Sequence, residues 1–282
     1  MPLVTSKDML VKAKAGGYAV GAFNGENLEM IQAIIAAAEE VQAPVIVQTT
    51  SSTIRYASPA IYAGIVKGIA EKASVPVALH LDHGNSYELA VECVNHGYSS
   101  IMIDGSHGTF EENVAITNQV IHYCRERGIP VEAELGKVGG KEDDVIAEND
   151  MNTDVDEAVE FYRQTQVDFL AIAIGTAHGF YHGTPHLNKE RINEIAARLP
   201  IPLVLHGTSG IADEEVADCV RRGMCKVNYA TELRDTYTKA VKEVLASDEH
   251  VFDPKVYGKA AREAVKQVVM SHMKNIGSDG KA

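Results

Sequence analysis

Apolar runs of strand length alternate along this chain with amphipathic stretches of helical length. The candidate strands are 18–23, 45–48, 77–81, 100–103, 131–135, 169–174, 203–205 and 226–229. Between them apolar residues recur at three- and four-residue spacing, as in the stripe Met30, Ile31, Ile34, Ile35 and Ala38, the period of a helix buried along one face. Thr109 with Glu112 reads as a capping box, and Gly97 and Gly128 read as helix stops. Strands alternating with helices predict a parallel sheet of βα units. Eight units is the number that closes a (β/α)8 TIM barrel, an α/β fold. A further helical stretch at 254–273 predicts extra C-terminal helices. No linker, low-complexity tract or longer repeat interrupts the rhythm, so residues 1–282 are read as a single barrel domain.

In such a barrel the chemistry collects at the C-terminal ends of the strands and in the loops that follow. The polar clusters of this chain obey that rule. Asn24 follows the first strand, residues 49–55 the second, Asp82 and His83 the third, Asp104 and His107 the fourth. Glu134 and the loop 136–144 end the fifth, His178 and Gly179 follow the sixth, residues 206–209 the seventh and 228–231 the eighth. His83, His178 and His206 thus converge from three strand ends. Neutral imidazole suits Zn²⁺, and three protein ligands leave a position open for substrate. A single histidine after a strand is more often a hydrogen-bonded surface residue; convergence from three strands is what favours a metal. The Asp82 carboxylate, beside the first of them, is placed for proton transfer. The other histidines receive a structural reading: His96 and His122 in helices, His182 and His186 in a loop, and His80 out of phase with Asp82. Gly179, Gly207, Ser209, Asn228 and Thr231 fall after strands six to eight, where barrels hold a phosphate with backbone N–H groups and hydroxyls. Gly136, Gly139 and Gly140 make the loop that carries Glu142 rich in hinges, as a moving lid requires.

Composition narrows the partners. Thirty-nine acidic against 26 basic residues give a net charge of −13, and no Lys or Arg run is long enough to follow a phosphate backbone, which excludes nucleic acid. No run of about 18 apolar residues occurs, and the first residues hold no basic segment followed by an apolar one, so a cytoplasmic protein without a membrane partner is expected. Cys93, Cys124, Cys219 and Cys225 form no C-x-x-C pair and read as buried thiols of a reducing compartment.

The segments Leu79-His-Leu-Asp-His-Gly84, Met102-Ile-Asp-Gly-Ser-His107, Val131-Glu-Ala-Glu-Leu-Gly136, Gly175-Thr-Ala-His-Gly179, Leu203-Val-Leu-His-Gly207 and Lys226-Val-Asn-Tyr-Ala-Thr231 resemble those of class II, metal-dependent ketose-bisphosphate aldolases. So do residues 139–144, Asp253-Pro254 and Gly277-Ser278, and the resemblance runs in order over essentially the whole chain. It implies a (β/α)8 barrel, Zn²⁺ on His83, His178 and His206, and reversible aldol cleavage of a ketohexose 1,6-bisphosphate to dihydroxyacetone phosphate and glyceraldehyde 3-phosphate. It also implies a homodimer or homotetramer and a monovalent cation, Na⁺ or K⁺, near the phosphate loops.

By the same resemblance, Asp82 matches the residue that moves the proton of the C4 hydroxyl, and Glu142 the group that exchanges the C3 proton of the triose. Asp104 and Glu134 match positions that hold a displaced or second metal. Gly179, Gly207, Thr208, Ser209, Asn228 and Thr231 match the grip on the triose phosphate, with Tyr229 and Ala230 beside them. Asn24, Ser51 and Arg55 are candidates for the other phosphate, together with Arg262 of a neighbouring subunit. No lysine ends strand six, and Lys226 is read as opening its strand and facing the far end of the barrel, so a metal takes the place of a Schiff-base lysine. Gly105 replaces another small residue, and Tyr229 is bulkier than the usual Val or Ile. Asn228-Tyr-Ala-Thr-Glu-Leu233 and Gly175-Thr-Ala-His178 resemble the tagatose-bisphosphate branch, and Ala230 removes a polar side chain from beside the sugar. Tagatose 1,6-bisphosphate is therefore the expected substrate, with fructose 1,6-bisphosphate the alternative. A metal-dependent sugar-phosphate isomerase or epimerase and a non-catalytic sugar-phosphate-binding subunit stand as rival readings on the same barrel.

Overall fold

The computed structural model describes residues 3–142, 145–147, 152–181, 183 and 185–282, with backbone alone at 140–142 and 145–147. In chain order its strands are β1 (Val20–Asn24), β2 (Val45–Thr50), β3 (Val77–Gly84), β4 (Ser100–Ile103), β5 (Val131–Leu135), β6 (Gly139–Glu142), β7 (Val145–Ala147), β8 (Phe169–Ile172), β9 (Ala177–His178), β10 (Leu203–Leu205) and β11 (Met224–Tyr229). β1, β2, β3, β4, β5, β8, β10 and β11 pair in parallel in that sequence, and β11 returns to β1 to close an eight-stranded barrel. The fold is the α/β barrel that the alternating pattern predicts. The helices are α1 (Ser6–Gly16), α2 (Leu28–Val41), α3 (Ser51–Ala57), α4 (Pro59–Ala70), α5 (Tyr87–Asn95), α6 (Phe110–Arg125), α7 (Val155–Thr165), α8 (Lys189–Arg198), α9 (Asp213–Arg221), α10 (Thr231–Ser247) and α11 (Pro254–Asn275).

Helix ends follow the side chains that satisfy them. Thr109 accepts from the Glu112 N–H at 3.2 Å while Glu112 accepts from the Thr109 N–H at 2.8 Å, the expected capping box. Asn27, Ser86, Asp154, Asn188 and Asp253 cap five other helices, each side chain accepting from a first-turn N–H. Gly97 and Gly128 follow helices α5 and α6 with positive φ, as read from the sequence. The extra helix α11 packs on α2 and α10.

Strand alternation divides two environments. Val47, Leu79, Leu81, Ala133, Leu135 and Val227 join the core between sheet and helices. Gln48, His80, Asp82, Glu132, Glu134, Lys226 and Asn228 point the other way and are all buried. At the N-terminal mouth the interior is apolar: Met9, Leu10 and Ala13 of α1 meet Val20, Ala22, Ile46, Ala78, Phe169 and Val204. Helix α1 thus plugs the barrel floor, an element the strand-and-helix rhythm does not reveal because it precedes the first βα unit. His80 and Asp82 are two residues apart and share the inner face, which corrects the reading of His80 as out of phase. β11 starts at Met224, so Lys226 lies inside its strand rather than opening it.

β6 pairs antiparallel with β7 and parallel with β9, matching Gly139 with Ala177 and Gly140 with His178. The glycine-rich loop is therefore a ribbon attached to the strand that carries His178. All four cysteines are buried free thiols. Among the described residues no helix is long and apolar enough to cross a membrane.

Candidate active site

The third barrel strand breaks its regular pairing with β4 between Leu81 and Gly84. Within that break His83 has φ +45°, a left-handed conformation that costs a non-glycine residue energy and is concentrated at functional sites. The break turns the His83 ring toward His206 and His178, with ring centroids 4.7 and 5.1 Å away. One nitrogen from each of the three imidazoles lies within 4.8 Å of the others. His206 Nδ1 and His83 Nε2 stand 2.9 Å apart, near the roughly 3.3 Å between corners of a zinc tetrahedron with Zn–N of about 2.0–2.1 Å.

The outward nitrogens test whether this set suits a metal. His83 Nδ1 lies 2.9 Å from Asp104 Oδ2, and His206 Nε2 lies 3.0 Å from Glu132 Oε1. An ionised carboxylate only accepts, so each ring donates outward and turns a lone pair inward, as metal-ligating histidines do. Burial pushes the His206 pKa down to about 4 against the opposing hydrogen bond to Glu132, keeping the ring neutral. Burial pushes the Asp104 carboxyl up, yet the hydrogen bond from His83 and those from the Ser106 hydroxyl and N–H outweigh it and hold it well below the usual range. For Glu132, burial is likewise overridden, chiefly by Lys226 and then by His206. The donor set fits zinc. Asp104 and Glu134 form a second group with His83, their oxygens and its nitrogen within 4.8 Å. Glu134 Oε2 is 3.4 Å from His206 Nδ1.

Asp82 stands beside this cluster and is buried. Gln48 Nε2 donates to its Oδ2 at 2.8 Å, and Asn228 Nδ2 to its Oδ1 at 3.1 Å. Gln48 also donates to Asn24 Oδ1 at 2.7 Å. Asn24, a candidate for the other phosphate, supports through its Oδ1 the amide that orients Asp82. Asn24 Nδ2, Gln48 Oε1 and Asn228 Oδ1 are buried without a hydrogen-bond partner among the described residues, so the pocket they line offers one donor and two acceptors to a ligand.

That pocket is lined by Asn24, Gln48, His178, Gly179, Gly207, Thr208, Ser209, Asn228, Ala230, Thr231 and Arg234. It opens on the N-terminus of α10, whose cap residue Ala230 has no side chain to bond the first N–H groups. The Glu232 N–H there points to Ser209 Oγ at 3.4 Å, and a helix start with hydroxyls around it suits an anion. Gly207 has φ +67°, and a Cβ there would lie 2.8 Å from the backbone of Ala177, so only glycine lets these two segments meet. Tyr181 clamps the same contact: its hydroxyl donates to Gly207 O at 2.6 Å and accepts from the Ala177 N–H at 2.7 Å.

The reading of Tyr229 is corrected, while Ser51, Arg55 and Arg262 lie away from the pocket. The Tyr229 side chain faces outward, stacked between Phe23 at 5.3 Å and His272 at 4.0 Å, because Asn228 takes the inward position. Ser51 and Arg55 line a separate hollow with Ser58, Asn85 and Glu92, and Ser51 Oγ donates to His83 O at 3.0 Å. Arg262 donates to Gln32 Oε1 of its own chain at 2.7 Å. The backbone of Glu142 ends β6, and its side chain lies outside the described residues, as do Asp143 and Asp144. Sequence reasoning missed Gln48, Glu132, Lys226 and Arg234. Strand parity marks the first three, since each stands two residues from a chosen inward residue or one residue from an outward one. Arg234, one helical turn after Ala230, pairs with Glu26 Oε1 at 2.6 Å.

The sequence profile described as "Fructose-bisphosphate aldolase class-II" matches residues 4–281. A fructose-bisphosphate aldolase of Staphylococcus epidermidis is 44% identical over 286 residues, covering all of both chains. One from Geobacillus stearothermophilus is 46% identical over 285 residues, covering 100% of this chain and 99% of its own. The crystal structure of the YdjI aldolase from Escherichia coli K12 superposes with TM-score 0.89 at 36% identity over 99% of each chain. This chain belongs to the class II fructose-bisphosphate aldolase family, a family of lyases.

Proposed function

We propose that this chain catalyses the zinc-dependent, reversible cleavage of a ketohexose 1,6-bisphosphate to dihydroxyacetone phosphate and glyceraldehyde 3-phosphate, with fructose 1,6-bisphosphate as the substrate. The observation that carries the reading is the convergence of His83, His178 and His206 beside a buried Asp82. His83, His178 and His206 would hold the zinc. Bound there, it supplies positive charge where negative charge develops as the C3–C4 bond breaks.

The chain's own groups do the rest. Asp82 takes the proton of the C4 hydroxyl, so that C4 leaves as the aldehyde while the electron pair of the broken bond stays on C3. Gln48 and Asn228 aim the two Asp82 oxygens by the bonds described above. Glu142 returns a proton to C3, a role that rests on family resemblance. Gly179, Gly207, Thr208, Ser209 and Thr231 grip the triose phosphate at the start of α10, and a monovalent cation beside these loops fits the same reading. A homodimer or homotetramer in the cytoplasm completes it.

The names of the relatives support the fructose epimer over the tagatose epimer expected from residues 228–233. Tagatose 1,6-bisphosphate remains the second reading because Ala230 lines the pocket without a polar side chain. Triose phosphate release from both sugars, on one preparation with and without chelator, tests both points. A higher kcat/KM for the fructose epimer is expected; a clear preference for tagatose reverses the choice, and release of neither removes the aldolase reading.

A further inference from the structure

Beneath the candidate metal centre the barrel interior carries an ion pair rather than the branched apolar layer usual there. Lys226 and Glu132 are 1% and 0% exposed, with Nζ 2.8 Å from Oε2. Apolar side chains of similar volume commonly give equal or greater stability at such positions, so the pair calls for a reason other than stability.

We propose that Lys226 is a positioning residue for the metal centre: acting through Glu132, it fixes His206 as the tautomer with its proton on Nε2 and its Nδ1 lone pair turned toward the metal. An ammonium donates and never accepts. Lys226 occupies Oε2 of Glu132 as a donor, so Oε1, 3.0 Å from His206 Nε2, faces that nitrogen as an acceptor. Nε2 must then carry the proton. Nδ1, 2.9 Å from His83 Nε2, is left with the lone pair on the side where the three imidazoles meet. His80 steadies the lysine from the other side, its Nε2 3.3 Å from Nζ and its Nδ1 2.8 Å from Ser100 Oγ. The hydrogen bonds have one direction throughout, and Lys226 sets it.

This rests on the zinc reading above, and a test can separate the two. In E132Q the ammonium draws the amide oxygen, the amide N–H donates to His206 Nε2, and the ring proton moves to Nδ1. Zinc affinity, measured by competition with a chromophoric chelator, should fall about 10–100-fold, the range for losing such an outer partner. In E132Q/K226M the amide is free to rotate and offer its oxygen to Nε2–H, so affinity should recover relative to E132Q. A structural role alone predicts no such recovery. A double variant that binds zinc no tighter than E132Q overturns the proposal, as does E132Q binding like the unaltered protein. Circular dichroism and thermal unfolding without metal establish that the variants fold. Should E132Q not fold, ¹⁵N chemical shifts of histidine-labelled, metal-free protein decide: the Nε2–H tautomer of His206 is expected, and Nδ1–H overturns the proposal. Absence of zinc binding by the unaltered protein would count against the proposed function, and the His206 tautomer, Nδ1–H in E132Q and Nε2–H again in E132Q/K226M, would still decide the role of Lys226.

Discussion

Asp82 has a neighbour at each carboxylate oxygen, and both are neutral amides. Such neighbours orient a carboxylate without fixing a charge on it, which suits a group that must take and return a proton. Asp82→Asn keeps the shape and loses the base. Turnover should drop by roughly 10²-fold or more, the usual scale for a general acid or base, while zinc content stays unchanged. Near-normal turnover in Asp82→Asn would show that another group carries the proton. His178→Ala leaves two imidazoles and should lose both zinc, by elemental analysis, and activity. At this scale the sequence was informative wherever a polar residue ended an apolar run, as Asp82, His83 and His206 do. Gln48, Glu132 and Lys226 lie within runs, so their inward direction appears only when parity is traced from a known inward residue. Tyr229 was misplaced for the same reason: Asn228 points in, so the next residue must point out.

Elements place these residues by their ends and by their meeting points. Gly207 is where the chain leaving β10 touches the first residue of β9, and an alanine there adds both left-handed strain and a clash with the Ala177 backbone. Gly207→Ala should cost about 1–3 kcal/mol from strain alone and weaken the site through His178. Thermal unfolding and kcat/KM measure the two effects, and unchanged values for both would remove this account of the glycine. Helix α1 works at the opposite mouth. Leu10 is fully buried in the barrel floor, so Leu10→Ala should lose about 2–5 kcal/mol in denaturant unfolding with KM nearly unchanged; a large KM change would show that the floor and the site are coupled. The eight barrel strands and the capping box were legible because hydrophobic period and cap chemistry are local. The strand limits shifted by a few residues, and the β6–β9 pairing was not legible at all, because a short glycine-rich ribbon has no apolar period of its own.

The whole molecule is a closed barrel with an apolar floor, a charged middle layer and a polar rim, and the three layers serve one another. The floor closes the interior to water from below, the Lys226–Glu132 pair supports His206 from the middle, and the rim brings three imidazoles and Asp82 together. This arrangement makes the account stand or fall on the metal. Zinc should be removed by dialysis against chelator, its loss shown by elemental analysis, and then added back in steps while triose phosphate release from fructose 1,6-bisphosphate is followed. The account predicts no cleavage without metal and a linear return of activity that saturates at about one zinc per chain, as a single three-histidine site with an open position requires. Full turnover by protein shown to be metal-free would contradict it.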